Sequence, residues 1–201
     1  MGATVNRWLF GQINEFAEAT PWLHGPAQAY ANYGVVLFGV LLVAGWWVAR
    51  RSGQVKGVAA AIAAGGATLL AVAVNQPIVH AVHEARPYTT LPNILVLANR
   101  STDPSFPSDH ATMAGAVAVG LWIVNRRLGI IAAAAAVLMA FTRVYIAAHF
   151  PADVVAGLLL GGIVALGTWL LLRRPLTWAV EAVATTRLRP VLVDVRRPRL
   201  P

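Results

Sequence analysis

Five apolar runs decide most of what this chain can fold into: residues 33–48, 58–74, 111–125, 128–140 and 154–172. A helix needs about 20 apolar residues to cross the hydrocarbon core of a bilayer. The second and fifth runs meet that need as they stand. The second extends past Pro77 to about Val82 and the fourth through Tyr145, while the third needs the polar Asp109 and His110 at its mouth. Composition agrees: 58% of residues are hydrophobic and 12% charged, against roughly 25% charged in a soluble domain. That shortage of charge excludes a disordered chain and a basic nucleic-acid-binding domain, despite a formal net charge of +8. The expected fold is an all-α, polytopic transmembrane bundle of about five spanning helices. Cysteine is absent, which excludes disulfides, thiolate metal sites and a cysteine nucleophile.

Two segments are not expected to span. Val5, Trp8, Leu9, Ile13 and Phe16 share one face at helical spacing, which predicts an amphipathic helix that lies in the membrane interface or packs on the bundle. Residues 1–12 lack a basic flank followed by an apolar core, so no cleavable signal peptide is expected. Residues 1–174 read as one membrane-embedded unit. Residues 175–201, basic and punctuated by proline, read as a cytoplasmic tail with one short helix near Trp178. Basic residues near helix ends set orientation. Arg50, Arg51, Lys56, Arg126, Arg127, Arg173, Arg174, Arg187, Arg189, Arg196, Arg197 and Arg199 fall on one side, which is twelve of the 16 basic residues. That side is the expected cytoplasmic one. All five histidines fall on the other, outer side.

Three polar stretches meet at that outer face. His80, His83, Glu84, Arg86 and Pro87 close the second run. Ser108, Asp109 and His110 open the third, and Thr142, Arg143, His149 and Asp153 link the fourth to the fifth. Ionisable groups at membrane depth are costly and mark function by default. Arg86 and Arg143 carry forked, permanently charged donors suited to phosphate oxygens, or they snorkel to the interface. Ser108 and Asp109 sit where a helix begins, so they cap it, or the free amides there hold an anion. His149 and Asp153 stand four apart, spacing that lets a carboxylate fix an imidazole's tautomer and stabilise its cation. Metal binding is the rival reading. The histidines are far apart in sequence and mixed with arginines, which repel cations, so no metal and no cofactor are expected.

Arg86-Pro87, Pro107-Ser108-Asp109-His110 and Thr142-Arg143 with His149 and Asp153 resemble, in order and spacing, the three signature motifs of the type 2 phosphatidic acid phosphatase family. The likeness spans about residues 80–161. Phe106 to His110 is further similar to the bacitracin-resistance type of undecaprenyl pyrophosphate phosphatase, where Asp replaces the commoner Gly. The resemblance implies a membrane lipid phosphatase that works on a lipid phosphate from the bilayer. It makes His149 the nucleophile of a phosphohistidine mechanism and gives Asp153 the part of orienting and charging it. His110 becomes the acid that protonates the leaving oxygen and then activates water. Arg86, Arg143, Ser108 and the amides near Asp109 become the phosphoryl ligands, with Thr142 where the family has Ser. A prenyl pyrophosphate is the leading substrate. Phosphatidate or phosphatidylglycerophosphate is the alternative, and an inactive lipid-binding or transport homologue the non-enzymatic one. The family's first motif also has a Lys seven positions before its Arg, where this chain has Val79. If the second run stays helical to Arg86, positions 79, 83 and 86 share a face. His83 is then expected to supply the missing charge, with His80, about 100° around the helix, the poorer substitute.

Overall fold

The computed structural model describes residues 2–187. Its elements are all helical: α1 Ala3–Ala19, a short 3-10 turn Pro21–Leu23, α2 His24–Ser52, α3 Val55–Val82, α4 Pro87–Thr90, α5 Asp109–Val124, α6 Arg126–Tyr145 and α7 Pro151–Ala184. There is no strand among the described residues. Helices α2, α3, α6 and α7 are long and apolar enough to cross a membrane. The fifth expected span, α5, has 16 residues and rises about 24 Å, short of a hydrocarbon core of about 30 Å. Instead it is the axis of the bundle, packed against α2, α3, α6 and α7. Its buried residues run all round the helix, as a helix enclosed by others requires.

The interior is built from small residues and the outside from large ones. Ala59, Ala63, Ala67, Ala114, Ala116, Ala132 and Ala136 are buried, while Val36, Val40, Leu69, Val137, Leu159, Ile163 and Leu171 are exposed. Helices in lipid gain nothing by hiding leucine from the solvent, so they associate through small residues that let backbones approach. The contact between α5 and α7 shows this best. A Cβ at Gly161 would overlap the Thr112 carbonyl, and one at Gly115 the Leu158 carbonyl. This packing brings the first turns of α5 and α7 together, and the Ser108 amide donates to the Asp153 carbonyl at 3.1 Å. Gly161→Ala should therefore destabilise the bundle by about 1–3 kcal/mol. A lower thermal unfolding midpoint in detergent is the check.

Helix ends follow local chemistry. Gly53 closes α2 at φ 69°, a conformation glycine adopts without a Cβ clash. The Asn125 side chain caps α6 through the amides of Arg127 and Leu128. Helix α3 does not reach Arg86: it stops at Val82, with His83 at φ 51°. Arg86 precedes Pro87, which disfavours the helical conformation, and it is extended at ψ 155°. At the other extreme, α7 does not stop at Arg173 and Arg174. It continues through Pro175 to Ala184, because Leu176 and Val180 extend the stripe begun by Trp169 that packs near Ala49, Val58 and Ala59. Residues 188–201 of the expected tail lie outside the described residues.

Helix α1 covers one end of the bundle. It packs through Phe10, Asn14 and Ala17 and leaves Val5, Trp8 and Phe16 exposed. The Asn14 amide pairs with both backbone groups of Leu95, at 2.8 and 3.0 Å. Asn6 accepts from the Ala152 amide in the first turn of α7 at 2.9 Å. The segment between α4 and α5 is pinned as well by Leu97 and Ala98, whose amides donate to the Ile146 carbonyl.

Candidate active site

His149 sits in the turn between α6 and α7. Ala147 reverses the chain at φ 63°, and the amides of Ala148 and His149 both donate to the Arg143 carbonyl. The His149 side chain is buried, with 3% of the residue exposed. Its Nδ1 lies 2.8 Å from the Ser105 carbonyl oxygen. A carbonyl only accepts, so Nδ1 carries the proton and Nε2 keeps its lone pair. That lone pair looks toward Arg86 Nη1 at 3.5 Å and Arg143 Nη2 at 3.4 Å.

Both guanidinium groups are held from behind. Arg86 donates to the carbonyls of Asp103 and Ala148 at 2.8 and 3.0 Å, and Arg143 to that of Ala31 at 3.4 Å. Arg143 Nε is buried and has no partner, as is Ser108 Oγ. Ser108 stands at the N-cap of α5 but makes no side-chain capping bond, so capping does not account for its hydroxyl. Buried donors without acceptors are rare and call for an explanation.

These groups border a cavity of about 450 Å³, walled by Arg86, Arg143, His149, His110 and Asp109 together with Gln76, Val79 and His80 of α3. Ser108, between the lining residues Pro107 and Asp109, is fully buried and does not itself line that wall. Asp109 accepts from Asn75 at 2.7 Å and Gln76 at 2.9 Å, so its carboxylate is tied to α3. Asp153, at the third position of α7, accepts from the Phe150 amide at 2.8 Å and from the Ser105 hydroxyl. It stands 3.5 Å from His149 Nδ1. Burial, then Arg143 and Arg86, push the His149 imidazole below its ordinary pKa, and Asp153 pulls the other way.

Two expected ligands are elsewhere. Thr142 donates its hydroxyl to the carbonyls of Leu138 and Met139 within its own helix, both at 3.0 Å, a common habit of threonine in apolar helices. His83 does not line the main cavity but borders an adjoining cleft of about 320 Å³ that shares Arg86, Ser101, Asp103 and Pro104 with it, because α3 ends before His83. The face from Val79 to Arg86 is broken, and His80 borders the main cavity in its place. Sequence reasoning passed over Ser105, Asn75 and Gln76. The last two carried a visible signal, since adjacent amides interrupt an otherwise apolar helix. Ser105 lies in an irregular segment without periodicity and carried none.

A family model for the PAP2 superfamily matches residues 60–176. The chain belongs to the PAP2 superfamily. Undecaprenyl-diphosphatase BcrC of Bacillus subtilis (strain 168) is 27% identical over 160 residues, covering 80% of each chain. Bacitracin transport permease protein BcrC of Bacillus licheniformis is 27% identical over 162 residues, covering 81% of this chain and 78% of that protein. The crystal structure of Aquifex aeolicus LpxE superposes with a TM-score of 0.61 at 24% identity, covering 82% of this chain and 94% of that one, which establishes a common fold. This PAP2 chain is a multi-pass membrane protein and, in class, a lipid phosphatase of the type 2 phosphatidic acid phosphatase family. All three sequence motifs border or underlie one cavity, although Thr142 contributes no group to it.

Proposed function

We propose that the protein hydrolyses a prenyl, undecaprenyl-type diphosphate at the outer membrane face through a phosphohistidine on His149. The observation that carries the mechanism is the unprotonated Nε2 aimed between two guanidinium groups, beside two buried donors without acceptors. A terminal phosphoryl group seated there completes those donors. Nε2 attacks phosphorus, the bond from phosphorus to the bridging oxygen breaks, and His110 gives its proton to the departing lipid phosphate. The phosphorylated ring is cationic, with its Nδ1 proton on the Ser105 carbonyl and Asp153 close by. Neutral His110 then takes a proton from water, whose oxygen attacks phosphorus. The N–P bond breaks, and inorganic phosphate leaves. Arg86 and Arg143 face the oxygens throughout, where charge develops.

The diphosphate assignment rests on the Phe106 to His110 stretch and on the relative named an undecaprenyl-diphosphatase. Phosphate release by the purified chain from prenyl diphosphate, phosphatidate and phosphatidylglycerophosphate tests it. The expected order of kcat/KM places the prenyl diphosphate first, and a preference for a glycerolipid would overturn the substrate. The relative named a permease motivates a second reading, transport without hydrolysis, which predicts binding with no phosphate release. Turnover should survive chelator, since two guanidinium groups at the nucleophile repel a cation. Vanadate, a mimic of the pentacoordinate phosphoryl group, should inhibit.

The orientation rests on the excess of basic residues at the end of the bundle remote from the cavity, among them Arg51 over Trp47 at 4.8 Å and Arg126 over Trp122 at 5.1 Å. Cysteines introduced at Gly53 and Arg127 should therefore resist an impermeant thiol reagent in intact cells. Those at Thr90 and Thr102 should be labelled, and outside labelling of position 53 would reverse the assignment.

A further inference from the structure

Ser105 belongs to none of the residues that define the site by motif, yet it touches both members of the His149–Asp153 pair. It is fully buried, with 0% of its surface exposed. Its amide is anchored on the Glu84 carbonyl at 2.7 Å. Its carbonyl takes the His149 Nδ1 proton at 2.8 Å. Its hydroxyl has one proton to give and two neighbours, Asp153 Oδ2 and, at 3.4 Å, His149 Nδ1. Nδ1 already carries a proton and cannot accept, so the hydroxyl donates to the carboxylate. The carboxylate thus receives two donors, Ser105 Oγ and the Phe150 amide, and remains 3.5 Å from the ring, outside the usual hydrogen-bond range.

We propose that the Ser105 side chain is a positioning group for the nucleophile: by donating to Asp153 it holds the carboxylate off Nδ1, so the ring proton goes to a neutral carbonyl and Nε2 stays free. This rests on the reading of His149 as nucleophile. The physical reason is a choice of partner. A carboxylate in direct contact favours the imidazolium, whose Nε2 is protonated and cannot attack, whereas a carbonyl fixes the same tautomer with less gain in basicity. The other charged and titratable groups around the His149–Asp153 pair are Arg86 and Glu84 from the segment after α3, Arg143 from α6 and His110 from α5, with Glu84 opposing the charge of Asp153. Across the cavity stand Asp109 of α5, His80 of α3 and Asp103. The two arginines also oppose the cation, so the carboxylate's distance sets the balance.

The test combines a resting-state and a kinetic readout on the full chain in detergent. Nitrogen NMR of histidine-labelled protein, with His149 assigned by its loss in His149→Gln, follows the ring's tautomer and titration without any turnover. In Ser105→Ala the carboxylate closes on Nδ1, and the His149 titration should move up by about one pH unit. The acid limb of the rate profile should move with it. Below the acid limb, kcat should fall about tenfold, the ratio that a one-unit shift gives, with a smaller loss near neutral pH, and KM should change by less than about twofold because Ser105 does not face the phosphoryl site. Ser105→Cys nearly preserves the shape but offers only a weak donor, so it should behave like the alanine variant if the latter folds poorly. A native titration of His149 in these variants overturns the proposal even if turnover falls, and so does an unchanged kcat. Failure of the parent reading has a separate signature, a native protein that traps no phosphate on His149.

Discussion

Replacing His149 by alanine should lower phosphate release by at least about a thousandfold, because on the proposed mechanism it removes the nitrogen that forms the covalent intermediate. The arginines and the cavity remain, so vanadate and substrate should still bind. Rapid quenching with labelled substrate should trap phosphate on the native protein and none on the variant. Residual turnover within tenfold of native would assign the nucleophile elsewhere. The same residue predicts a pH dependence. Attack needs the unprotonated ring, and burial with two neighbouring arginines favours that form, holding the pKa below its ordinary value. The acid limb of kcat/KM should therefore lie below about pH 6.5, the value of an unperturbed imidazole. On the acid side, activity is lost as pH falls through the folded-state pKa of His149, and on the alkaline side it falls as His110 loses the proton it must donate.

Arg143→Ala should cost about 10²–10³ in kcat/KM, the typical loss on removing one preorganised donor from a developing oxyanion. Arg143 presents Nη2 at 3.4 Å from His149 Nε2 and an Nε without any partner, so on the proposed mechanism two N–H groups are available to phosphoryl oxygens. Lysine at this position restores the charge but not the fork. Its expected kcat/KM lies between those of the alanine variant and the native protein. Full recovery with lysine would show that charge alone matters and would remove the argument from the orphaned Nε. Steady-state kinetics on both variants, with binding of vanadate measured separately, distinguishes lost binding from lost transition-state stabilisation.

Much of the fold was legible because apolar length and flanking charge are local properties. The runs at 33–48, 58–74, 128–140 and 154–172 each became part of a long helix. The run at 111–125 became the shorter helix α5, which takes in Asp109 and His110 as its length required and is enclosed by its neighbours. Alanine and glycine on all sides of α5 were the visible hint, since lipid-facing helices carry larger side chains. The break at His83 was legible in principle from Pro87, which disfavours helix at Arg86. The continuation of α7 past Pro175 was not, because only its packing near Val58 and Ala59 sustains it.

For the site, the chain's order and spacing determined that Arg86, His110, Arg143 and His149 belong to one end of the bundle. Antiparallel helices of fixed rise must return their ends to the same face. Which groups point inward was decided only by the tertiary structure. Thr142 turns its hydroxyl into its own helix, His83 falls into a neighbouring cleft, and His80 borders the cavity instead. The tautomer of His149 depends on the carbonyl of Ser105, 44 residues away in the chain. Nothing periodic links the two positions. The hydrogen bond exists because the segment between α4 and α5 is pinned under α1 and beside the α6–α7 turn, a long-range packing outcome that local sequence pattern does not encode.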